Sequence, residues 1–386
     1  MRVLITNATM SGRHGTTLYV RDLAIRLLRR GHTPVVYSPE IGDVGWELQR
    51  ATVPVTDDLS KIDAVPDVIH GNQNQELLTA LLRFPGVPAV RVCHGWLDEP
   101  PWPFPRVLRY IPVDDTTLDR CLFEWGLPEE RVRVLLNWVD LELFAPRAPL
   151  PPQPLRALVF SNQALRFLEP VRRACAASGV RLDAAGAGVG VAEEPGRLLA
   201  RYDLVFAKAR AALEAMAVGN AVILCDAVGV GPLVRSDELD RLRRLNFGIR
   251  TLSEPHDPGT LAREIARYDA DDAARVTRRI RESADCDHAV DELVALYEEV
   301  LAEFRGGGPS DLIAELRAAS GYLRTFPSRL RDWPDSIGMG VWIIARSLFR
   351  RAAKARWVRR TPGVRSLSRH SPVIRWLYAR SRRLRP

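Results

Sequence analysis

The sequence lacks paired cysteines and long hydrophobic runs, and these absences exclude several classes of protein. Its 386 residues contain five cysteines, none in a Cys-x-x-Cys pair, which excludes a zinc ribbon and a secreted disulfide framework. Uncharged apolar stretches such as 215–225 and 337–345 are well short of the roughly 18 residues that a membrane-spanning helix needs. The first residues also lack the apolar core of a signal peptide. The sequence therefore predicts a cytoplasmic protein.

Acidic residues are absent from the last part of the chain. Residues 336–386 carry 14 lysines and arginines and no aspartate or glutamate, whereas residues 1–304 carry 36 basic and 43 acidic residues. Five aromatic side chains are interleaved with these cations: Trp342, Phe349, Trp357, Trp376 and Tyr378. Such a segment fits an anionic membrane surface, here the inner face of the plasma membrane. A solvated basic tail is the alternative, as is nucleic acid, for which no recognisable motif occurs.

The remaining residues alternate between strand and helix patterns. Composition is that of a globular protein, with 46% apolar and 26% charged residues. Strands are predicted at 2–6, 33–38, 67–70 and 89–94 and, after a segment with five prolines, at 155–160, 180–184, 203–207 and 221–225. Helices are predicted between them, and 261–304 is helical by its period. Alternating strands and helices indicate doubly wound parallel sheets. We therefore predict an α/β protein with two Rossmann-like domains, 1–145 and 155–304, a linker at 146–154, and a basic extension at 305–386.

Two segments are candidates for binding a diphosphate. The loop 11–17, which contains Gly12 and Gly15, follows the first strand and precedes the first helix. Backbone N–H groups of such a loop can approach a phosphate, although a turn of this kind is equally common as pure structure. Lys208 and Arg210 lie where a predicted strand passes into a helix N-terminus. Side-chain charge and helix dipole together favour an anion at that position.

Glu214 follows one helical turn later and has two interpretations. A glutamate on a largely apolar helix needs a partner, and the hydroxyl pair of a ribose is suitable. An ion pair with Arg210 at i, i+4 spacing is the alternative. A second glycine-rich turn carries Gly229 and Gly231. It permits a close approach of the donor diphosphate as well, but it also occurs as an ordinary connection.

His94 ends a predicted strand of the first domain and would face the cleft. A lone histidine is often structural, yet its strand-end position favours a functional role. The exposed aromatic loop that follows, with Trp96, Asp98 and Trp102, is a candidate acceptor-binding surface for a sugar or lipid. No metal-ligand spacing occurs, so no metal site is predicted.

In their order along the chain, several segments resemble those of GT-B glycosyltransferases of the family-4 type, which transfer sugars from nucleotide donors. The resemblance extends through most of residues 1–304. It is carried by 11–17, 23–35, 67–70, 94–95, 133–144 and 214–222.

The resemblance implies roles for individual residues. The second domain would bind the nucleotide sugar, with Glu214 at the ribose. Gly12 and Gly15 would approach the diphosphate or acceptor, and His94 would lie beside the transferred sugar. No cofactor is implied beyond the nucleotide sugar, and retention of stereochemistry with a hexose donor is expected.

Two departures from the family pattern change this assignment. Phe206 stands where the family usually carries a second glutamate, which removes or replaces a contact to the donor sugar. The usual Gly-Arg and lysine are replaced by a stretch that contains Ser161 and Asn162, which we keep as donor-side candidates. We infer that Lys208 and Arg210 supply the charge for the diphosphate instead, which makes a metal unnecessary.

The sequence therefore predicts sugar transfer from a nucleoside-diphosphate sugar to a lipid-linked or cell-envelope glycan acceptor. Two alternatives stay open. One is a GT-B nucleotide-sugar epimerase, and the other is a non-catalytic protein that binds nucleotide or membrane with a degenerate site.

Overall fold

The computed structural model describes residues 1–96, 98–190, 194–307 and 311–325. The chain divides into two units, Met1–Ala318 and Ala319–Pro386. The segment 336–386, which we predict to bind a membrane, lies outside the described residues.

The first unit begins with a lobe built on a six-stranded parallel sheet. Its strands are β1 (Arg2–Thr6), β2 (Thr33–Tyr37), β3 (Val55–Thr56), β4 (Val68–Gly71), β5 (Ala89–Cys93) and β6 (Val107–Pro112), in the order β3-β2-β1-β4-β5-β6. Its helices are α1 (Gly15–Arg29), α2 (Asp43–Arg50), α3 (Asn74–Arg83) and α4 (Asp115–Asp119). The strand order reverses direction between β1 and β4, which opens a crevice at the carboxyl ends of these strands.

The second lobe repeats this plan with five strands. They are β7 (Arg156–Phe160), β8 (Arg181–Ala185), β9 (Leu204–Ala207), β10 (Ala221–Asp226) and β11 (Gly229–Leu233), in the order β11-β10-β9-β7-β8. Its helices are α5 (Leu168–Ala177), α6 (Pro195–Leu199), α7 (Ala209–Val218), α8 (Leu239–Arg244), α9 (Pro258–Ala266) and α10 (Ala270–Ser283). The predicted pair of doubly wound sheets is thus confirmed. Strand β11, antiparallel to β10, was predicted as a turn.

The apolar runs of the sequence form the central strands. All six residues of β10 are buried, as expected for a parallel strand covered by helices on both faces. Phe206 of β9 is completely buried in an apolar cluster with Val159 and Ile223. The position at which the sequence departs from the family-4 pattern that it resembles is therefore part of the core of this lobe.

Helix α11 (Cys286–Gly306) belongs to the core of the first lobe. Leu293, Tyr297 and Val300 are fully buried in the same cluster as Val3 and Leu23. The sequence assigned this helix to the second domain, and the packing corrects that assignment. Helical period shows which face is apolar but not which sheet that face covers.

Helix α12 (Leu312–Leu323) follows α11. Among the described residues, none of the helices combines the length and the hydropathy that a membrane span requires. All five cysteines are buried and unpaired.

Candidate functional site

The two lobes form a cleft that contains two cavities. The first, which we call the Glu214 cavity, has a volume of about 180 Å³ and is lined by Arg13, Gly15, Leu18 and Arg21 of the first lobe and by Ser161, Asn162, Arg210 and Glu214 of the second. The second, the His94 cavity, has a volume of about 370 Å³ and is lined by Thr16, His94, Trp96, Asp98 and Asp114 and by Lys208, Ala209 and Asn246. At the start of α1, Gly15 lines the Glu214 cavity and Thr16 lines the His94 cavity. At the start of α7, Arg210 lines the Glu214 cavity and Ala209 lines the His94 cavity. The cavities therefore meet at these two helix N-termini.

Lys208 is the residue immediately before α7 and forms an ion pair with Asp226 at the end of β10. The Asp226 side chain is 3% exposed, and its other oxygen accepts a hydrogen bond from Ser161 Oγ at 3.3 Å. The Lys208 side chain is 34% exposed at the wall of the His94 cavity. A ligand there would meet a lysine whose charge is shared with a buried carboxylate.

The backbone beside Lys208 adopts left-handed conformations at residues other than glycine. Ala209 has φ of 49°, and Asn246 and Phe247 have φ of 52° and 49°. The two segments contact each other, since the Ala209 N–H donates to the Phe247 carbonyl at 2.9 Å. Such conformations cost on the order of 1–3 kcal/mol each and cluster at functional sites. Ala209 and Asn246 both line the His94 cavity, which places this strain at the candidate site.

Arg210 connects the two lobes. Its guanidinium forms ion pairs with Asp22 of α1 and with Glu214, whose Oε1 lies 2.7 Å from Arg210 Nε. Burial opposes ionisation of Asp22, but the positive charges of Arg210 and Arg21 outweigh it and lower the pKa of Asp22. The i, i+4 ion pair considered for Glu214 is therefore present. Both cations predicted for the diphosphate have carboxylate partners.

Glu214 is buried and also lines the cavity named after it. Burial raises its pKa, although the charge of Arg210 opposes this. Its Oε1 accepts from Arg210, and no hydrogen bond to its Oε2 occurs within the described residues. That oxygen is free to accept a hydrogen bond from a ligand hydroxyl.

His94 is held in one orientation by polar neighbours. Its Nε2 lies 2.6 Å from Asn72 Oδ1, and its backbone N–H donates to Asp98 at 2.9 Å. The amide of Asn72 is itself oriented, because its Nδ2 donates to the Thr6 carbonyl at 2.7 Å. Burial lowers the pKa of His94 to about 4, so the ring is neutral at pH 7. Since Asn72 presents an oxygen, Nε2 carries the proton and Nδ1 is the acceptor.

A second histidine lies behind His94. His70 is completely buried, and its Nδ1 lies 2.6 Å from the hydroxyl of Tyr297 in α11. Tyr19 packs between the histidines, with ring centroids 5.8 Å from His70 and 4.9 Å from His94. Burial, followed by the charges of His94 and Arg91, lowers the pKa of His70 to about 3. The His70 ring is therefore neutral at pH 7 and packed behind the site.

The two glycines of the first loop have different roles. Gly12, with φ of 78°, donates its N–H to Asp43 at 2.6 Å and lines neither cavity. Gly15 lines the Glu214 cavity, and a Cβ there would meet no described atom within 4 Å. Gly15 thus keeps the cavity open, whereas Gly12 shapes the loop.

Gly229 and Gly231 do not reach the cavities. A Cβ at Gly229 would lie 2.9 Å from the Glu254 carbonyl oxygen, and one at Gly231 would lie 2.4 Å from that of Thr251. These glycines allow residues 251–254 to pack against β11. These close contacts are within this chain, and a role of the two glycines at the diphosphate stays a prediction.

The candidate acceptor loop is held by the first lobe. Asp98 is paired at 3.1 Å with Arg91, whose side chain is 1% exposed, so it shapes the loop below His94. Trp96 is 49% exposed and stacks on the Arg120 guanidinium. Trp102 Nε1 donates to the Ala318 carbonyl at 3.0 Å. The structure brings Trp96 and Asp98 to the His94 cavity but not Trp102.

The other donor-side candidates are Ser161 and Asn162. Ser161 and Asn162 line the Glu214 cavity, and Asn162 Nδ2 reaches the Arg13 carbonyl of the first lobe at 3.4 Å. No group of three metal-ligating side chains occurs among the described residues.

Three important residues were not predicted. Asp22 is an acid in the apolar pattern of α1, and that position is a signal that a partner exists. Asp226 is the last residue of the buried strand β10. Asn72 follows strand β4, where a polar side chain reaches the cleft.

A search with the sequence matches no protein-family model and no curated protein. Solved structures do match. HepE from Anabaena, in complex with UDP and glucose, has a TM-score of 0.57 at 16% identity over 78% of this chain and 100% of that chain. A glycosyltransferase from Rickettsia africae ESF-5 has a TM-score of 0.53 at 14% identity, over 78% and 98%. Sucrose-phosphate synthase from Thermosynechococcus elongatus has a TM-score of 0.54 at 13% identity, over 78% and 99%.

The chain has the GT-B fold. The resemblance found in the sequence is confirmed at this level, and the two lobes of the GT-B fold are those described above. At these identities the likeness establishes the fold alone.

Proposed function

We propose that this GT-B protein transfers a sugar from a nucleoside-diphosphate sugar to an acceptor. The observation that carries the proposal is the pair of cavities that meet at the N-termini of α1 and α7. The Glu214 cavity offers a carboxylate oxygen for a ribose hydroxyl, and the His94 cavity offers a neutral imidazole acceptor. HepE, which shares the fold, was solved with UDP and with UDP-glucose. A nucleoside diphosphate with its sugar would span both cavities.

The chemistry that this chain supplies is stabilisation of the leaving diphosphate. The first N–H groups of a helix have no intrahelical acceptor, and they carry a partial positive charge. Two helix N-termini and the half-neutralised Lys208 would therefore stabilise charge as the anomeric C–O bond breaks. His94 Nδ1 would accept a hydrogen bond from a sugar hydroxyl and orient the ring.

Finer parts of the proposal come from the sequence. They are a hexose donor, retention of stereochemistry, independence of metal, and a lipid-linked or cell-envelope glycan acceptor at the cytoplasmic membrane face. Phe206 leaves an apolar core where a donor-binding glutamate is usual, so hydroxyl recognition falls to His94 and Glu214.

Ligand-dependent thermal stability of the full chain tests the proposal. A nucleoside diphosphate at 100 times its dissociation constant should add about 2.7 kcal/mol to the unfolding free energy. The variant Gly15→Leu should fold and lose this shift, because its side chain would enter the cavity. Gly306→Leu is the matched control, since a Cβ there also meets no described atom within 4 Å.

Turnover distinguishes the alternatives. A transferase should release the nucleoside diphosphate from its sugar donor, and an epimerase should instead yield an isomeric sugar nucleotide. Binding without either product would indicate a non-catalytic protein. Undiminished binding by Gly15→Leu would contradict the assignment of the donor to this cavity.

The orientation of His94 gives a further prediction. In Asn72→Asp a carboxylate would lie beside Nε2 and favour the imidazolium, raising the pKa of His94 from about 4. Protonation removes the Nδ1 acceptor, so the acid limb of the pH–rate profile should move up by about one pH unit or more. Full activity should return at higher pH. An acid limb at the wild-type position, in a variant of normal stability, would contradict this role for Asn72.

A further inference from the structure

Helix α12 exposes an apolar stripe. Leu312, Ile313 and Leu316 are 60%, 61% and 55% exposed. The helix is fixed through other positions. Glu315 pairs with Arg106 at 2.7 Å, and the Ala318 carbonyl accepts from Trp102 at 3.0 Å. The stripe is therefore presented by a helix that is tied to the first lobe by polar contacts.

The spacing of these residues makes the stripe continuous. Leu312 and Leu316 are four residues apart and Ile313 and Leu316 three, so their side chains share one face. Arg317, also exposed, flanks this face. Contiguous exposed apolar patches mark interaction sites. An exposed apolar helix face beside a basic residue is compatible with a helix that lies in the interface of an anionic membrane.

The charge of the chain indicates which partner the α12 stripe binds. Residues 336–386 follow this helix in the sequence with 14 cations, no acidic residue and interleaved aromatic residues. An anionic lipid surface matches both features, since it offers phosphates to the arginines and an acyl boundary to the leucines. A second copy of the same chain would bring a like charge against this extension.

We propose that the α12 stripe, formed by Leu312, Ile313 and Leu316, inserts into the headgroup boundary of an anionic bilayer. It adds an apolar contact to the electrostatic attraction of the basic extension. In the proposed function, this contact would hold the cleft near a membrane-borne acceptor. Lipid binding is measured without nucleotide or turnover, so failure of one proposal does not depend on the other.

The first test is cosedimentation of the full chain with phosphatidylcholine vesicles that contain or lack phosphatidylglycerol. The wild-type chain should bind only the anionic vesicles. Replacing the three stripe residues by serine should weaken partitioning about tenfold or more, without changing thermal stability, because the residues are exposed. Val65→Ser with Leu155→Ser, at positions 56% and 61% exposed, is the matched control and should bind like wild type.

A fluorescent label gives a local readout. All five native cysteines are buried, so Leu316→Cys introduces an accessible thiol for an environment-sensitive dye. Its emission should shift to the blue with anionic vesicles, whereas Leu165→Cys, at a position 64% exposed, should not respond. The proposal is overturned if the triple serine variant partitions like wild type or the label at 316 does not respond. It is equally overturned if the serine variant instead loses a dimer seen by sedimentation of the wild type.

Discussion

Replacing Asp22 by asparagine should destabilise the protein by about 3–5 kcal/mol, because it removes one partner from a buried ion pair. The side chains of Asp22 and Arg210 are 2% and 14% exposed. The variant leaves the Arg210 charge in a poorly solvated position with Glu214 as its remaining acid. Denaturant unfolding measures the loss. The expected result depends on burial, since an exposed pair of the same chemistry contributes little.

The structure offers a matched control between the same two lobes. Asp115 and Arg244 form an ion pair at 2.6 Å with side chains 27% and 57% exposed. Asp115→Asn should cost at most about 1 kcal/mol. Equal destabilisation by Asp22→Asn and Asp115→Asn would show that Arg210 is solvated in the cleft.

Mild acid should destabilise the fold through its two buried histidines. Burial lowers the pKa of His94 to about 4 and of His70 to about 3, whereas an unfolded histidine has a pKa near 6.5. Below pH 6.5 the unfolded chain therefore binds protons that the folded chain does not. Stability falls as the pH is lowered through this window, with a slope that approaches about 1.4 kcal/mol per pH unit for each histidine near pH 5.

The measurement is the free energy of unfolding between pH 7 and 5, compared with His70→Asn and His94→Asn. Each variant should remove one histidine's share of the slope. The comparison of each variant with the wild type is decisive, because buried carboxyl groups also titrate. Burial raises the pKa values of Glu76, Asp114 and Glu214, so these groups stabilise the folded state as the pH is lowered. A slope unchanged in both variants would mean that neither ring is neutral in the folded protein.

Local patterns were sufficient for the elements of the fold. Strands β1, β2, β4 and β5 and helix α7 were predicted within a few residues, since buried parallel strands read as apolar runs and helices as periodic ones. Residues 229–233 were misread, because a strand that begins Gly-Val-Gly-Pro lacks the usual composition of a strand. Its glycines are needed for close packing against residues 251–254.

The candidate site was predictable only in part. His94 follows a strand end and Lys208 precedes a helix start, and topology brings such positions to one crevice. Glu214 lies one turn further along the helix that Lys208 precedes. The side chains that pair with the candidate site residues could not be predicted from the sequence. Asp22 is 188 residues from Arg210 in the sequence, and no local pattern records that contact.

The sequence by itself determined that the chain forms two doubly wound sheets and that residues 336–386 are basic. It also placed the candidate site at the carboxyl ends of the strands. These follow from periodicity, strand order and charge, which are properties of neighbouring residues. Only the tertiary structure decided that Arg210 and Lys208 are paired with carboxylates, that α11 completes the first lobe, and that α12 exposes Leu312 and Leu316. Those outcomes depend on which distant surfaces meet, because burial and ion pairing are set by packing between elements rather than within them.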